Sequence, residues 1–259
     1  METLTLLFVA AGGLVLGSFF NVVIYRLPRG LNLSRPPSSC PGCGARIKPY
    51  DNVPILSYII LRGKCRTCGR RISPVYPAVE ALTALGFVLV YLNAGRVIGL
   101  EFFAGCLFTS ALIVLGFIDA YHQILPDAVT LPGLVLALAY SFVRDDLNFR
   151  GALLGAVVGA GFLLVVYGAY RLIRKKEGLG MGDVTMMLMV GAFLGPLRTL
   201  FVLILASFTG AIVGVFLIAR RGKDFQFALP FGTFIAPAAF VALLWGERIV
   251  RAYLRLYQR

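Results

Sequence analysis

Apolar residues in this chain come in long unbroken runs, not in the short alternating or three-four patterns of a water-soluble fold. Residues 98–118 hold one acid, Glu101, and residues 151–170 hold none. A bilayer core takes about 20 apolar residues per helix. The runs predict about eight transmembrane helices, near residues 4–25, 77–93, 98–118, 128–143, 151–173, 183–194, 197–219 and 229–245. The fourth and sixth are short. The sixth crosses only with flanking residues, local bilayer thinning or burial inside the bundle. The expected fold class is therefore an all-α polytopic membrane protein. The first run is too long for the core of a secretory signal, and it is preceded by acidic Glu2 instead of a basic stretch, so it reads as a retained anchor.

One long interruption breaks the pattern. Residues 26–76 are polar, rich in Pro and Gly, and carry four of the five cysteines. The expected division is a first transmembrane helix over 1–26, a small cytoplasmic domain over 27–76, and a multi-helix membrane domain over 77–259. A mean hydropathy of +0.84 agrees with a membrane class. The net charge of +13 then reads as an excess of Lys and Arg in cytoplasmic loops, not as a nucleic-acid surface. The 26–76 segment has ten basic residues and one acid, Asp51. The loop after the fifth helix carries Arg171, Arg174, Lys175 and Lys176, and the one after the seventh carries Arg220, Arg221 and Lys223. Eight spans put all three on one side, the cytoplasm. The tail with Arg248, Arg251, Arg255 and Arg259 opposes that count unless it lies on the surface as an amphipathic helix.

Within the polar segment, Cys40-Pro-Gly-Cys43 and Cys65-Arg-Thr-Cys68 form a CxxC…CxxC pair separated by 21 residues. Two thiolates three positions apart reach one ion across a tight turn, which Gly42 and Gly44 ease. Two such knuckles complete a tetrahedral Zn²⁺ site, closed and hence structural. Two disulfides are the competing reading, and a cytoplasmic location opposes it. Cys106 lies in an apolar run and reads as a small core residue. His122 reads as a satisfied interfacial polar residue.

Acids in or beside a membrane span are costly to keep there and mark function. Asp119 ends the third run, and Asp183 follows Gly180 and Gly182 at the start of the sixth. The topology puts both at the cytoplasmic face. Two carboxyl groups at one depth can share a proton and act as an aspartyl dyad. Gly180 and Gly182 allow the backbone to unwind before the acid. Asp127, after Pro126, has a supporting or helix-capping role. The competing readings are a helix N-cap for Asp183 and an ion pair with a loop Arg for Asp119. Asn21, Arg26 and Glu80 are polar groups facing the cysteine segment and are candidates for a cofactor or substrate site; interfacial snorkelling and capping would equally account for them. Gly155 and Gly159 give a small-xxx-small face for helix packing.

The chain resembles the bacterial prepilin peptidases, the leader peptidase/N-methyltransferases of type IV pilus and type II secretion systems. The matching stretches are residues 17–28, the two cysteine knuckles, residues 50–58 and 76–80, the Asp119–Asp127 segment, and the GxGD motif at Gly180–Asp183. The resemblance implies cleavage of the leader of prepilins and pseudopilins at the cytoplasmic face of the inner membrane, with Asp119 and Asp183 catalytic. It also implies methylation of the new amino terminus by S-adenosylmethionine, and zinc on Cys40, Cys43, Cys65 and Cys68. Two positions depart from the family pattern: Thr185, where many relatives have Lys, and Tyr121, where many have a second acid. Two other functions stand against the enzyme, a proton-coupled transporter and a non-catalytic zinc-bearing assembly factor.

Overall fold

A computed structural model describes residues 2–174, 180–221 and 229–257. Lys175, Lys176, Gly178, Lys223 and Arg259 lie outside the described residues. Among the described residues are nine α-helices and no sheet, only two isolated β-bridges. The helices are α1 Glu2–Arg26, α2 Leu56–Ile60, α3 Val75–Asn93, α4 Leu100–His122, α5 Asp127–Tyr140, α6 Phe149–Arg174, α7 Met181–Leu194, α8 Pro196–Arg221 and α9 Gly232–Tyr257. Six of them, α1, α3, α4, α6, α8 and α9, are long and apolar enough to cross a membrane. The other two expected spans, α5 and α7, have 14 residues each. At 1.5 Å per residue they reach about 21 Å, short of the ~30 Å hydrocarbon core. Of the eight expected spans, six are long helices and two, the fourth and sixth, are short ones, as their apolar runs are. Bulky side chains stand out from the long helices (Phe8, Val165 and Ile204 are about 70% exposed), which suits lipid and not water. This is a multi-pass membrane protein.

The chain divides into two compact units, Met1–Val114 and Leu115–Arg259. In the first, α1 packs along α3. Their backbones nearly touch because Gly13 and Gly17, four apart on α1, present no side chain. A Cβ at Gly13 would lie 2.6 Å from Ala84 Cα, and one at Gly17 2.7 Å from Glu80 Cα. This is the small-residue contact that membrane helices use when lipid removes the hydrophobic drive to associate. The 26–76 segment contains α2 and two turns of one design. Gly44 N–H donates to Cys40 O and Cys40 N–H to Ala45 O; Gly69 N–H donates to Cys65 O and Cys65 N–H to Arg70 O. Each turn closes through a glycine at positive φ, Gly44 at 70° and Gly69 at 72°. The left-handed position is thus the residue after the second cysteine of each pair.

In the second unit α7 is the central helix, in contact with α5, α6, α8 and α9. It is apolar on every side, and Met186, Met187, Met189, Val190 and Ala192 are fully buried. A helix apolar all round belongs in a core, so its shortness needs no thinned bilayer. The expected small-residue face on α6 is where α7 docks. A Cβ at Gly159 would meet Met187 O at 2.9 Å, and Gly155 and Gly191 meet backbone to backbone with no room for one on either. At the C-terminal end of α7, Arg144 donates to Phe193 O at 2.7 Å and lies over the Tyr140 and Phe193 rings, while Asp146 bridges Arg144 and Arg198. The basic C-terminal residues to Tyr257 continue α9 as one helix, in which Arg251 pairs with Glu247.

The α6–α7 contact makes a direct test of packing. Gly191→Ala places its methyl against Gly155 O and is expected to lower the detergent melting temperature by more than ordinary overpacking of ~1–3 kcal/mol would. Gly161→Ala, on the same α6 with open space around its Cβ, is expected to leave the melting temperature unchanged.

Candidate active site

Three chain turns of the second unit meet at two carboxyl groups. Asp119 sits in the last turn of α4, whose end is closed by Gln123 N–H donating to Asp119 O at 2.9 Å. Asp183 is in the first turn of α7, after Gly180 in extended conformation. Both are buried, with 4% and 7% of their surface exposed. Neither competing reading holds. The N-cap of α7 is Gly180, not Asp183, and Asp119 has no ion pair among the described residues. Instead Thr233, in the first turn of α9, donates its backbone N–H to Asp119 Oδ2 at 2.8 Å, and its hydroxyl lies 3.2 Å from the same oxygen.

Leu125, in the α4–α5 turn, is the wedge between the three turns. A Cβ at Gly182 would lie 2.8 Å from Leu125 Cβ, and one at Gly232 2.9 Å from Leu125 Cδ1 and 2.9 Å from Asp119 Oδ2. Gly182 and Gly232 therefore act through close approach, not through an unusual backbone angle. Gly180 has open space except for Asp183 Oδ2. Asp127 is exposed at the start of α5, with the Thr130 hydroxyl 3.4 Å from its Oδ1; the bonds that hold Asp119 do not include it. Thr185 donates to Gly182 O at 3.0 Å and lies 3.3 Å from the Thr130 hydroxyl, so a neutral pair joins α5 and α7 at this level. Tyr121 is exposed. Sequence reasoning missed Gly232 and Thr233. Their only signal is a Pro-Phe-Gly-Thr start to the last helix, which reads as an ordinary helix entry.

The first unit gathers the four knuckle cysteines. Their sulfurs all lie within 4.8 Å of one another, and Cys40 Sγ is 3.9 Å from Cys68 Sγ. Sulfurs of a tetrahedral site with metal–sulfur bonds of ~2.3 Å are about 3.8 Å apart, so the cluster fits one metal ion. Backbone N–H groups of Cys68 and Thr67 bring the Cys65 thiol down to about 6, and those of Gly42 and Cys43 lower Cys40. Both favour the thiolate, the form that binds a metal. Nearby, Asn21 donates to Tyr76 O at 3.1 Å, Glu80 accepts the Ile55 N–H at 2.8 Å, and Arg26 donates to Asn32 O, Leu33 O and Pro36 O. Asp51 is held below the usual carboxylate range by the Arg66 guanidinium, 2.6 Å away.

Comparison with known proteins bears on both units. Residues 12–94 match the bacterial peptidase A24 N-terminal domain, and residues 106–215 match the type IV leader peptidase family. A prepilin leader peptidase/N-methyltransferase of Pseudomonas putida is 38% identical over 266 residues, covering 94% of this chain and 92% of that one. This chain belongs to the type IV leader peptidase family. Proteins of the same name from Aeromonas hydrophila and Dichelobacter nodosus are 38% and 35% identical, covering 93% and 95% of this chain and 91% and 93% of theirs. No solved structure matches it. The leader peptidase family match takes in Asp119 and Asp183, and the N-terminal domain match takes in all four knuckle cysteines.

The cysteine cluster generates a prediction independent of catalysis. Purified from cells, the chain is expected to hold a single tightly bound metal ion, measured by plasma mass spectrometry. Cys65→Ser is expected to remove most of it, and Cys106→Ser, in α4, to leave it in place.

Proposed function

We propose that this chain is a membrane aspartic endopeptidase that removes the leader peptide of prepilins and pseudopilins, with Asp119 and Asp183 as its catalytic pair. The observation that carries the assignment is the burial of both carboxyl groups on either side of Leu125, which Gly182, next to Asp183, and Gly232, against Asp119, both approach closely. Carboxyl groups so placed share one proton. Two donors on Oδ2 suit Asp119 to the role of base. It takes a proton from a water as that water attacks the scissile carbonyl carbon. Asp183 donates its proton to the carbonyl oxygen, giving a neutral tetrahedral diol. Asp119 then passes its proton to the leaving nitrogen while Asp183 recovers one from the diol, and the C–N bond breaks. Nothing is left bound to the enzyme. Gly182 and Gly232 support the pair by letting their backbones close on Leu125 beside it, Gly180 supports it as the extended residue that opens α7, and Asp127 supports the start of α5. The relatives' shared name favours this reading over the transporter and the non-catalytic assembly factor.

The reaction lies, in this reading, at the cytoplasmic face of the bacterial inner membrane. Support comes from Arg171 and Arg174, basic residues at the end of α6 a few positions before Asp183 in the sequence, as expected on a cytoplasmic side. The proposed functional division is a first anchor over 1–26, a cysteine domain over 27–76 and a peptidase domain over 77–259, with α3 of the last packed on α1 inside the compact unit Met1–Val114. Zn²⁺ is the proposed occupant of the Cys40, Cys43, Cys65 and Cys68 cluster, with a structural role because the protein fills all four positions.

The second activity is N-methylation of the new amino terminus, for which S-adenosylmethionine would supply the methyl group. Asn21, Arg26 and Glu80 are the proposed contacts for it. A bracing role is the second reading, favoured because all three already bond backbone groups of the 26–76 segment. Glu80→Gln separates the two: cleavage retained with methylation lost supports the donor site, and joint loss with a lower melting temperature supports bracing.

For the peptidase, Asp119→Asn and Asp183→Asn are each expected to lower leader cleavage by at least about 10³-fold, read by the gel shift of a co-expressed prepilin. Thr233→Val is expected to lower kcat about ten-fold or more through loss of a bond to a charged group, with KM and melting temperature unchanged. Thr233→Ser should restore the rate, since it keeps the hydroxyl.

A further inference from the structure

The short helix α2 lies in the segment that composition marks as outside the membrane, yet it presents three bare aliphatic side chains. Leu56, Ile59 and Ile60 are 58%, 63% and 72% exposed. Their spacing of three and four puts them on one helix face. Ser57 is turned inward, where its hydroxyl donates to Tyr50 O at 3.0 Å and accepts Val53 N–H at 2.9 Å.

The depth of α2 follows from its anchor. Ile55, the residue before α2, takes a positive φ of 59° and donates its N–H to Glu80 Oε2 at 2.8 Å. Glu80 lies five residues into α3, about 7–8 Å beyond its first residue. With 19 residues, α3 is about 28 Å long, barely enough to cross a bilayer. Its Val75 end therefore stands at the edge of the hydrocarbon, and Glu80 lies inside that edge. Helix α1 agrees. Gly17, whose absent side chain makes room for the Glu80 backbone, is nine residues or about 13 Å before Arg26, where α1 ends. The Ile55 amide thus sits at the level of the lipid glycerol and upper acyl chains. Leaving α2, the chain passes Arg62 and Lys64, both exposed cations, whose stems can reach back to the phosphate level. Exposed Tyr50 is of the type enriched at that boundary.

We propose that the Leu56–Ile59–Ile60 face of α2 is embedded in the headgroup–acyl boundary of the bilayer, with Arg62 and Lys64 on anionic lipid phosphates. Helix α2 is then a membrane-lying helix of the kind set by an apolar face and flanking cations. It holds the cysteine cluster against the lipid surface, and the buried Glu80 is the acceptor that fixes its depth.

The test uses the full chain in liposomes of phosphatidylethanolamine and phosphatidylglycerol. Trp245→Phe removes the sole tryptophan, and Ile59→Trp or Ile60→Trp places a new one on the α2 face. Two positions guard against one variant failing to fold, and metal content reports an intact cysteine segment. Lipids brominated near the carbonyl end of the chain are expected to cut emission by roughly half, as for a side chain 5–10 Å deep in the boundary, with weaker quenching by bromines near the methyl end and by aqueous iodide. Strong iodide quenching without bromolipid quenching at both positions would overturn the proposal. So would emission that is shielded from iodide only after a prepilin is added, since the face would then belong to the substrate's helix.

Discussion

The structure of this chain turns on how a membrane protein keeps carboxyl groups out of water. A buried acid in an apolar bundle is tolerated only where hydrogen-bond donors meet it. Two acids here show the same solution with different consequences. Asp119 receives the amide and hydroxyl of Thr233, and Glu80 receives the Ile55 amide. In each case the donor comes from the first residues of a helix or the turn just before one, where backbone N–H groups have no intrahelical acceptor. Helix starts thus supply what the bilayer cannot.

That constraint explains why glycine recurs at each meeting point. Amides can reach a carboxyl on a neighbouring helix only if the backbones are close. Gly17 lets α1 reach Glu80, Gly182 and Gly232 both fold around Leu125, and Gly155 and Gly191 bring α6 against the helix that carries Asp183. The packing of α6 on α7 and the position of Asp183 are consequently one property. A methyl group at Gly191 lies two turns from the acid but on the surface that seats its helix.

Much of this was legible in sequence because membrane helices announce themselves by length and polarity. The unbroken apolar runs located all eight long or moderately long helices to within a few residues, apart from the last, whose basic tail extends it to Tyr257. The spacing of Cys40, Cys43, Cys65 and Cys68 located the cluster, because a knuckle is a local turn whose geometry its own residues dictate. Asp119 and Asp183 stood out because acids are scarce in such runs. What could not be read depends on contacts between distant segments. Gly232 and Thr233 resemble any helix entry until α9 is laid beside α4. Whether α7 spans the bilayer or fills a core depends on neighbours that surround it. The five apolar-leaning residues of α2 are too few for a span, and their exposure is visible only once Glu80 fixes where they sit.

The proposed dyad of Asp119 and Asp183 stands or falls on a single bridging water. The most direct measurement is an experimental structure of the chain in lipid, refined well enough to place solvent between Asp119 and Asp183. The account predicts one water within about 2.6–3.2 Å of both carboxyl groups, with Asp119 still held by Thr233. Carboxyl groups too far apart to touch a common water, or an Asp119 turned away from Asp183, would contradict it.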